Sequence, residues 1–157
     1  MRRCAFVLAF FAVSCGNGRD YGGRPPYPVS GKVLVNDQPV AGALVTLHDT
    51  HAGPNQPASQ GTTGNDGVFV VSTYDPRDGA PASDYKVTVI WRTSRREGAL
   101  DRLDHKYANP DSSGLTATVE NKTNTLQPFN LSADPASIKA IEERAQDPSS
   151  VKTHHKR

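Results

Sequence analysis

The chain has 157 residues, the length of one domain with additional terminal segments. Its 18 basic and 16 acidic residues give a formal charge of +2, and its densest basic cluster, Arg92, Arg95 and Arg96, fits a solvated loop, which excludes the extended basic surface of a nucleic-acid-binding module. Hydrophobic residues make up 36% of the chain and 13 glycines and 12 prolines supply turns, so we expect short strands rather than long helices.

The N-terminal segment has the pattern of a bacterial export signal. Arg2 and Arg3 precede an apolar run that is too short to span a bilayer and has the length of a signal h-region. Residues 12–15, Ala-Val-Ser-Cys, resemble a bacterial lipobox, although the common motif has Leu where this chain has Ala. The resemblance implies that residues 1–15 are a signal peptide and that the thiol of Cys15 receives a diacylglyceryl group. An ordinary secretory signal cut near Ser14 is the alternative.

Processing at this point would leave the exported domain without a disulfide. The chain has 2 cysteines, and Cys4 lies inside the expected signal while Cys15 lies at its edge. The domain must therefore be stabilised by burial alone. Residues 16–27 are rich in Gly, Arg and Pro, and we expect them to form a flexible tether between a membrane anchor and the domain.

Alternation of apolar and polar residues begins at residue 29. Apolar or small residues recur at every second position from Val29 to Val35, and again from Ala43 to Leu47. Residues 36–39, Asn-Asp-Gln-Pro, separate the two runs with strong turn chemistry. The pattern predicts two strands joined as a hairpin, each with one buried face.

Five further strands follow from the same reasoning. The clearest places Tyr85, Val87, Val89 and Trp91 on one face and Lys86 on the other. The remaining four are expected at residues 58–62, 68–73, 115–120 and 126–131. Because no helical pattern lies between these strands, the sequence predicts an all-β domain over residues 28–132, an antiparallel sandwich of seven strands.

The segment after the last strand has a helix-start signal. Asp134 is placed to cap a helix whose first residue is Pro135. The apolar stripe of this helix is thin and consists of Ile138, Ile141 and Ala145. We therefore expect residues 133–157 to form a short, marginal helix followed by a disordered tail.

Four segments in order resemble one known family. These are residues 31–45, the Thr-x-x-Asp-Gly-x-Phe turn at 63–69, the strand at 85–89, and residues 106–115. They are similar to carboxypeptidase-regulatory-like domains, which have a transthyretin-like (prealbumin-like, Ig-like) sandwich, and in particular to small envelope lipoproteins of planctomycete type. The resemblance implies a secreted or lipid-anchored accessory module without enzymatic activity or cofactor.

Two glycines and one acid in this region have expected structural roles. Gly42 and Gly67 are expected where a side chain would clash or where φ is positive. Asp66 is expected to cap its own turn through the backbone. A calcium site at Asn65–Asp66 is the alternative, but a hard cation needs six or more oxygens and the surrounding sequence supplies no series of acids.

Three histidines are the candidates for metal or hydrolytic chemistry. His48, His51 and His105 would bind zinc or copper if the fold brought them together. His48 and His51 differ by three positions, which places them on opposite faces of a regular strand. The chain contains no nucleophile elbow, phosphate loop or His-Glu-x-x-His motif, so exposed polar groups at a strand end are the competing interpretation.

The function hypothesis is a non-catalytic binding or structural module of the cell envelope. Its partners would be the membrane, through the lipid anchor, and envelope polysaccharide or protein, contacted by loops 49–67 and 92–114. Trp91, Arg92 and Tyr107 are the candidate ligand-binding residues, with a core position as the alternative for Trp91. The expected location is the periplasmic or outer side of a bacterial membrane, or secretion if Cys15 is not lipidated.

Overall fold

The structure, a computed structural model, describes residue 21 and residues 24–53 and 56–147. The expected signal peptide with Cys15, most of the tether and the last ten residues lie outside this range, and the expectations about them remain predictions. Among the described residues, no helix combines the length and the apolar character that crossing a bilayer requires.

The described chain is all-β, as expected, with short strands and one helix. In chain order the elements are β1 Pro26–Tyr27, β2 Val29–Val35, β3 Gln38–Pro39, β4 Leu44–Asp49, β5 Ser59–Thr62, β6 Val68–Val70, β7 Ala80–Pro81, β8 Ser83–Ile90, β9 Leu115–Val119, β10 Asn124–Thr125, β11 Phe129–Leu131 and α1 Pro135–Gln146. Each of the seven expected strands overlaps one of these elements, namely β2, β4, β5, β6, β8, β9 and β11.

One sheet is antiparallel throughout and has the strand order β5-β4-β8-β9. Val45 lies opposite Val89 and Leu47 lies opposite Val87, so the period-two pattern of both strands points to one face. All four of these side chains are buried, with exposed fractions of 2% or less. The register inferred from alternation is therefore confirmed for this pair of strands.

The other large sheet is mixed, which differs from the expected antiparallel pairing. β2 pairs antiparallel with β6 and β3, but parallel with β10 and β11. The parallel pairing follows from the place at which the chain returns from the antiparallel sheet to β2. β9 ends with Val119 opposite Ser83, and β10 then pairs Asn124 with Val29, at the start of β2. A chain that enters beside the start of β2 can only run alongside it in the same direction.

The expected hairpin between the first two long strands does not form. Asn36 and Asp37 adopt left-handed φ values of 50° and 64° and turn the chain back onto β2, but only β3 pairs there. Gly42, with a φ of +77°, then redirects the chain so that β4 joins the other sheet. The positive φ values expected at Gly42 and Gly67 are confirmed.

Both sheets contribute to one hydrophobic core. Its largest fully buried side chains are Tyr85, Phe69, Leu47, Val29, Val33, Val45, Val71, Val87 and Val89. Leu103 and Tyr107 add to the core from the segment between β8 and β9. Thr88, which alternation places on the polar face with Lys86, is only 4% exposed, and its Oγ1 lies 2.9 Å from His48 Nε2.

The last two residues of the expected tether belong to the folded body. Pro26 and Tyr27 form β1, which pairs with β7. The pairing depends on Gly79, because a Cβ at that position would lie 1.7 Å from the Tyr27 carbonyl oxygen. The bare backbone of Gly79 therefore allows the incoming chain to dock closely, a contact that alternation cannot reveal.

The helix begins where its capping signal predicts. The Asp134 side chain accepts a hydrogen bond from the Ala136 N–H, and Pro135 is the first helical residue. Ile141 is buried and Ile138 packs against the core. The Arg102 side chain donates to the Glu142 carboxylate at 2.7 Å, so tertiary contacts stabilise a helix that would be marginal alone.

Candidate functional site

Strand register defines two ends of the body. The entry end, where β1 brings the chain in, contains the first residues of β2 and β8 and the last residues of β4 and β9. The far end contains the last residues of β2 and β8, the first residues of β4 and the start of α1. The candidate residues are divided between these ends and do not form one site.

A partly buried carboxylate organises the entry end. Asp49 Oδ1 accepts hydrogen bonds from the Ser83 hydroxyl at 2.6 Å and the His51 backbone N–H at 2.8 Å, and Oδ2 pairs with the Arg24 guanidinium. Burial pushes the pKa of the Asp49 carboxyl upward, but the hydrogen bonds from Ser83, His51 and Arg24 outweigh it and hold this pKa below its ordinary value.

This cluster brings Ser, His and Asp together without the geometry of a nucleophilic triad. A triad needs the imidazole between hydroxyl and carboxylate, so that the ring takes the hydroxyl proton. Here the Ser83 hydroxyl donates directly to Asp49, and His51 contacts this carboxylate through its backbone. The His51 ring lies on the exposed side, with Nδ1 3.3 Å from Ser83 Oγ. The arrangement ties the end of β4 to β8 and to the incoming chain.

The structure does not bring the three candidate histidines together. His48 lies on the outer face of its sheet beside Thr88, and burial lowers the pKa of its imidazole. His51 lies at the entry end, whereas His105 follows β8 at the far end, with Nδ1 3.8 Å from the Asp101 carboxylate. Within the residues that the structure describes, no three His, Cys, Asp or Glu residues are grouped so as to hold a metal ion.

Asp101 is a structural residue that the sequence analysis missed. Its carboxylate is almost completely buried and accepts backbone N–H groups of Trp91 at 2.9 Å, Leu103 at 3.1 Å and His105 at 3.1 Å. An acid that bonds the N–H two residues later is a local turn signal, which the sequence does contain. The contact with Trp91, ten residues earlier, has no such signal. Asp101 thus shapes the loop between β8 and β9.

A groove at the far end is built around Trp91. We call it the Trp91 groove; it measures about 430 Å³ and is lined by Val35, Gln38, Val40, Trp91, Arg102 and Ile138, among others. The indole N–H donates to the Ala41 carbonyl at 3.0 Å, which fixes the ring. The Arg102 guanidinium carbon lies 4.8 Å from the ring centroid, within cation–π range.

The other two candidate ligand-binding residues differ from each other. Arg92 is exposed at the far end, where its backbone bridges to Asp101. Tyr107 is only 8% exposed; its hydroxyl donates to the Ser132 carbonyl at 3.2 Å and accepts the Ser132 N–H at 3.0 Å. Tyr107 is therefore a core residue that joins the loop to the last strand, and its expected role in ligand contact stays a prediction.

Comparisons with known proteins give only distant likenesses in structure. No protein-family model matches the chain, and no curated protein matches it. The structure is similar to the major plantain pollen allergen Pla l 1 with a TM-score of 0.40 and 20% identity, over 69% of this chain and 94% of the allergen.

Two enzymes show weaker similarity. A dioxygenase domain, from a dioxygenase–carbohydrate-binding protein fusion of Streptomyces sp. SirexAA-E, gives a TM-score of 0.36 and 17% identity over 74% of this chain and 84% of that one. A 9R-lipoxygenase from Cyanothece PCC8801 gives a TM-score of 0.34 and 15% identity, over 71% of this chain but only 18% of the lipoxygenase.

Proposed function

We propose that the protein is a non-catalytic accessory module of a bacterial cell envelope, anchored by a lipid on Cys15 and presenting its far end to envelope polysaccharide. The observation that carries the proposal is the position of the entry point relative to the Trp91 groove. The chain enters the body beside β7, and the groove lies at the opposite end. An N-terminal anchor would therefore direct the groove away from the membrane.

The length of the chain before the body supports this orientation. Arg24 ties the incoming chain to the end of β4 by pairing with Asp49, and the Tyr21 ring before it lies 5.0 Å from that of Tyr74. Cys15 and Arg24 are nine positions apart, so the linking chain spans at most about 30 Å. A body on so short a link stays near the bilayer with its entry end toward it.

The same proposal includes the fold. We propose that the two large sheets form a seven-stranded, transthyretin-like sandwich of the carboxypeptidase-regulatory-like type. In its support, the seven expected strands all have counterparts, and six of them contribute side chains to one hydrophobic core. The short elements β1, β3, β7 and β10 then extend the edges of the sandwich.

Polysaccharide is the ligand class that the groove chemistry favours. An indole ring offers an apolar platform for the C–H face of a sugar, and the Gln38 amide at the groove can donate to and accept from hydroxyls. The neighbouring Asn36 amide is bonded to the Ala133 backbone. The polar groups at the entry end, by contrast, bond to one another, as the Asp49 cluster shows. This contrast favours binding over catalysis.

Mass spectrometry of the native membrane fraction tests the anchor. The expected result is a mature chain that begins at Cys15 and carries a diacylglyceryl group. Cys15→Ser should move the protein to the soluble fraction, while the matched variant Cys4→Ser should leave it on the membrane. A mature chain that begins elsewhere, or that carries no lipid, would contradict the proposal and favour the secretory alternative.

Affinity electrophoresis through gels that contain soluble neutral polysaccharides, namely xylan, mannan and β-glucan, tests the groove. We expect at least one of them to retard the protein. Gln38→Ala at the exposed rim should reduce the retardation, whereas Val68→Ala on an outer sheet face should not. Retardation that is unchanged by Gln38→Ala would exclude the groove as the binding site.

A further inference from the structure

The two large sheets leave an open groove where their edges approach each other. One wall is the edge of β9 and the other is the segment from β10 to β11. We call it the seam groove; it measures about 550 Å³ and is lined by residues 114–118 and 125–130. Neither edge pairs with another strand in the part of the chain that the structure describes.

The backbone of β9 presents unused hydrogen-bonding groups to this groove. The Val87 carbonyl accepts the Ser113 hydroxyl at 2.6 Å, so the backbone groups of Val87 point from β8 toward the β9 side. Leu115 lies opposite Val87 and Ala117 lies opposite Tyr85, which places their N–H and C=O groups toward β8. Alternation then turns the backbone groups of Thr116 and Thr118 outward, away from β8 and into the groove.

The opposite wall is protected against strand addition. The Leu131 carbonyl accepts the Asn36 N–H at 2.9 Å, so residues 129 and 131 point toward β2 and residues 128 and 130 point outward. At position 128 the outward residue is a proline, which has no N–H. The Lys106 ammonium donates to the Ser132 carbonyl at 3.0 Å and covers the end of the same edge.

β9 has none of these protective devices. Natural edge strands usually carry a proline, an inward charge or a bulge that prevents pairing with other chains. β9 has the sequence Leu-Thr-Ala-Thr-Val over 115–119 and continues an unbroken ladder with β8. The outermost strand on the other side of this sheet, β5, is bridged from Gln60 to Ser72 and so is covered by its own chain.

The side chains of the groove define what can occupy it. Its lining residues carry no ionisable group. Leu115, Ala117 and Leu126 pack partly against the core, and Phe129, 8% exposed, stacks on Phe69 behind it. A charged segment would lose hydration here without gaining a partner, so an uncharged occupant is complementary. Small apolar side chains at alternate positions would cover this apolar floor.

We propose that the seam groove binds an extended, uncharged peptide segment of a partner protein as an added strand along β9. β9 is about 17 Å long, enough for a segment of about five residues. A second folded copy fits less well, because its edge strand has a whole sheet behind it, while the groove is walled on both sides. This inference does not depend on the lipid anchor or on the Trp91 groove.

Binding of a synthetic peptide to the full-length chain tests the proposal. The probe is fluorescein-labelled Thr-Val-Thr-Val-Thr-Val-Thr with a terminal amide, and the readouts are fluorescence anisotropy and amide hydrogen exchange. We expect saturable binding that protects the N–H groups of Thr116 and Thr118. Thr116→Pro removes one outward donor and should weaken binding by about tenfold, while Thr116→Val keeps the donor and should bind as the natural chain does.

A second peptide provides a test that does not depend on correct folding of the proline variant. N-methylation of alternate residues of the probe peptide removes the N–H donors along one of its edges and leaves the protein unchanged. The methylated peptide should not bind. The proposal is overturned by binding that survives both N-methylation and Thr116→Pro, by protection confined to other strands, or by no saturable binding at all. Concentration-dependent protection of Thr116 without peptide would also overturn it, since a second copy would then occupy the edge.

Discussion

A glycine and a phenylalanine that face each other across two strands provide the sharpest test of the fold. Gly31 of β2 lies directly opposite Phe69 of β6. A Cβ on Gly31 would lie 2.6 Å from Phe69 Cζ and 2.8 Å from Cε1. Phe69 is 1% exposed, and its ring stacks on Phe129 with centroids 6.2 Å apart. The ring therefore has little room to move, and Gly31→Ala should overpack the core.

The sign of the effect follows from two opposing free energies. Overpacking of this kind costs about 1–3 kcal/mol. Replacing a strand glycine by alanine otherwise contributes about 0.5–1 kcal/mol of stability, since the unfolded chain loses freedom. We expect Gly31→Ala to lower the free energy of unfolding by about 1–2 kcal/mol. Phe69→Leu should lower it as well, because the aromatic pair with Phe129 is lost at about 0.5–1.5 kcal/mol.

The double variant with Gly31→Ala and Phe69→Leu provides the decisive measurement. Leucine at 69 leaves space where the ring was, and the new methyl group of Gly31→Ala fills part of it. The two changes should therefore couple favourably, by about 1 kcal/mol or more. Unfolding in urea, followed by the fluorescence of Trp91, the single tryptophan of the chain, measures the free energy of unfolding of all three variants.

Gly53→Ala is the matched control for these measurements. A Cβ there would meet nothing within 4 Å and its φ is not positive, so we expect no loss of stability. A Gly31→Ala variant as stable as the natural chain, or strictly additive effects in the double variant, would refute the cross-strand pairing of Gly31 with Phe69.

Three further predictions concern register and pH. Val87→Asp should abolish the β signal in circular dichroism because Val87 is 0% exposed, whereas Lys86→Asp should leave it intact. Burial lowers the pKa of His48, so the unfolded chain takes up the proton first and stability should fall as pH drops below about 6.5; His48→Gln should flatten this dependence. Asp49→Asn should cost about 1–3 kcal/mol at pH 7, and the difference should shrink in acid as Asp49, whose folded pKa is lowered, takes up a proton.

Local chemistry made the faces of strands and the start of the helix predictable from sequence. β8 alternates with period two, and three of its four buried side chains, Tyr85, Val87 and Val89, are those that the pattern selects, with Thr88 as the exception. The helix begins at Pro135 because the capping side chain and the proline act within one turn. Such signals need only neighbours in the chain.

Strand partners and the polar clusters required contacts that no local pattern encodes. The sequence pattern of β2 and β4 predicts a hairpin, but the turn at Gly42 places the two strands in different sheets. His48 and His51 were candidate residues, but the partners of Asp49 between them are Ser83 from the neighbouring strand β8 and Arg24 from the expected tether. These positions are determined by contacts between residues far apart in the chain, and such contacts form only when the whole core folds.

Pro128, just before the last strand, bears on binding at the seam groove. Residues 126–131 were expected to form one strand, but only Phe129–Leu131 belong to β11, and the nitrogen of Pro128, which has no N–H, faces away from β2. The same missing donor faces outward, so an added strand finds fewer partners on this wall of the seam groove than on β9. Pro128→Thr should therefore let the probe peptide protect Asn130 as well as Thr116, and protection that stays confined to β9 would show that the proline does not set this asymmetry.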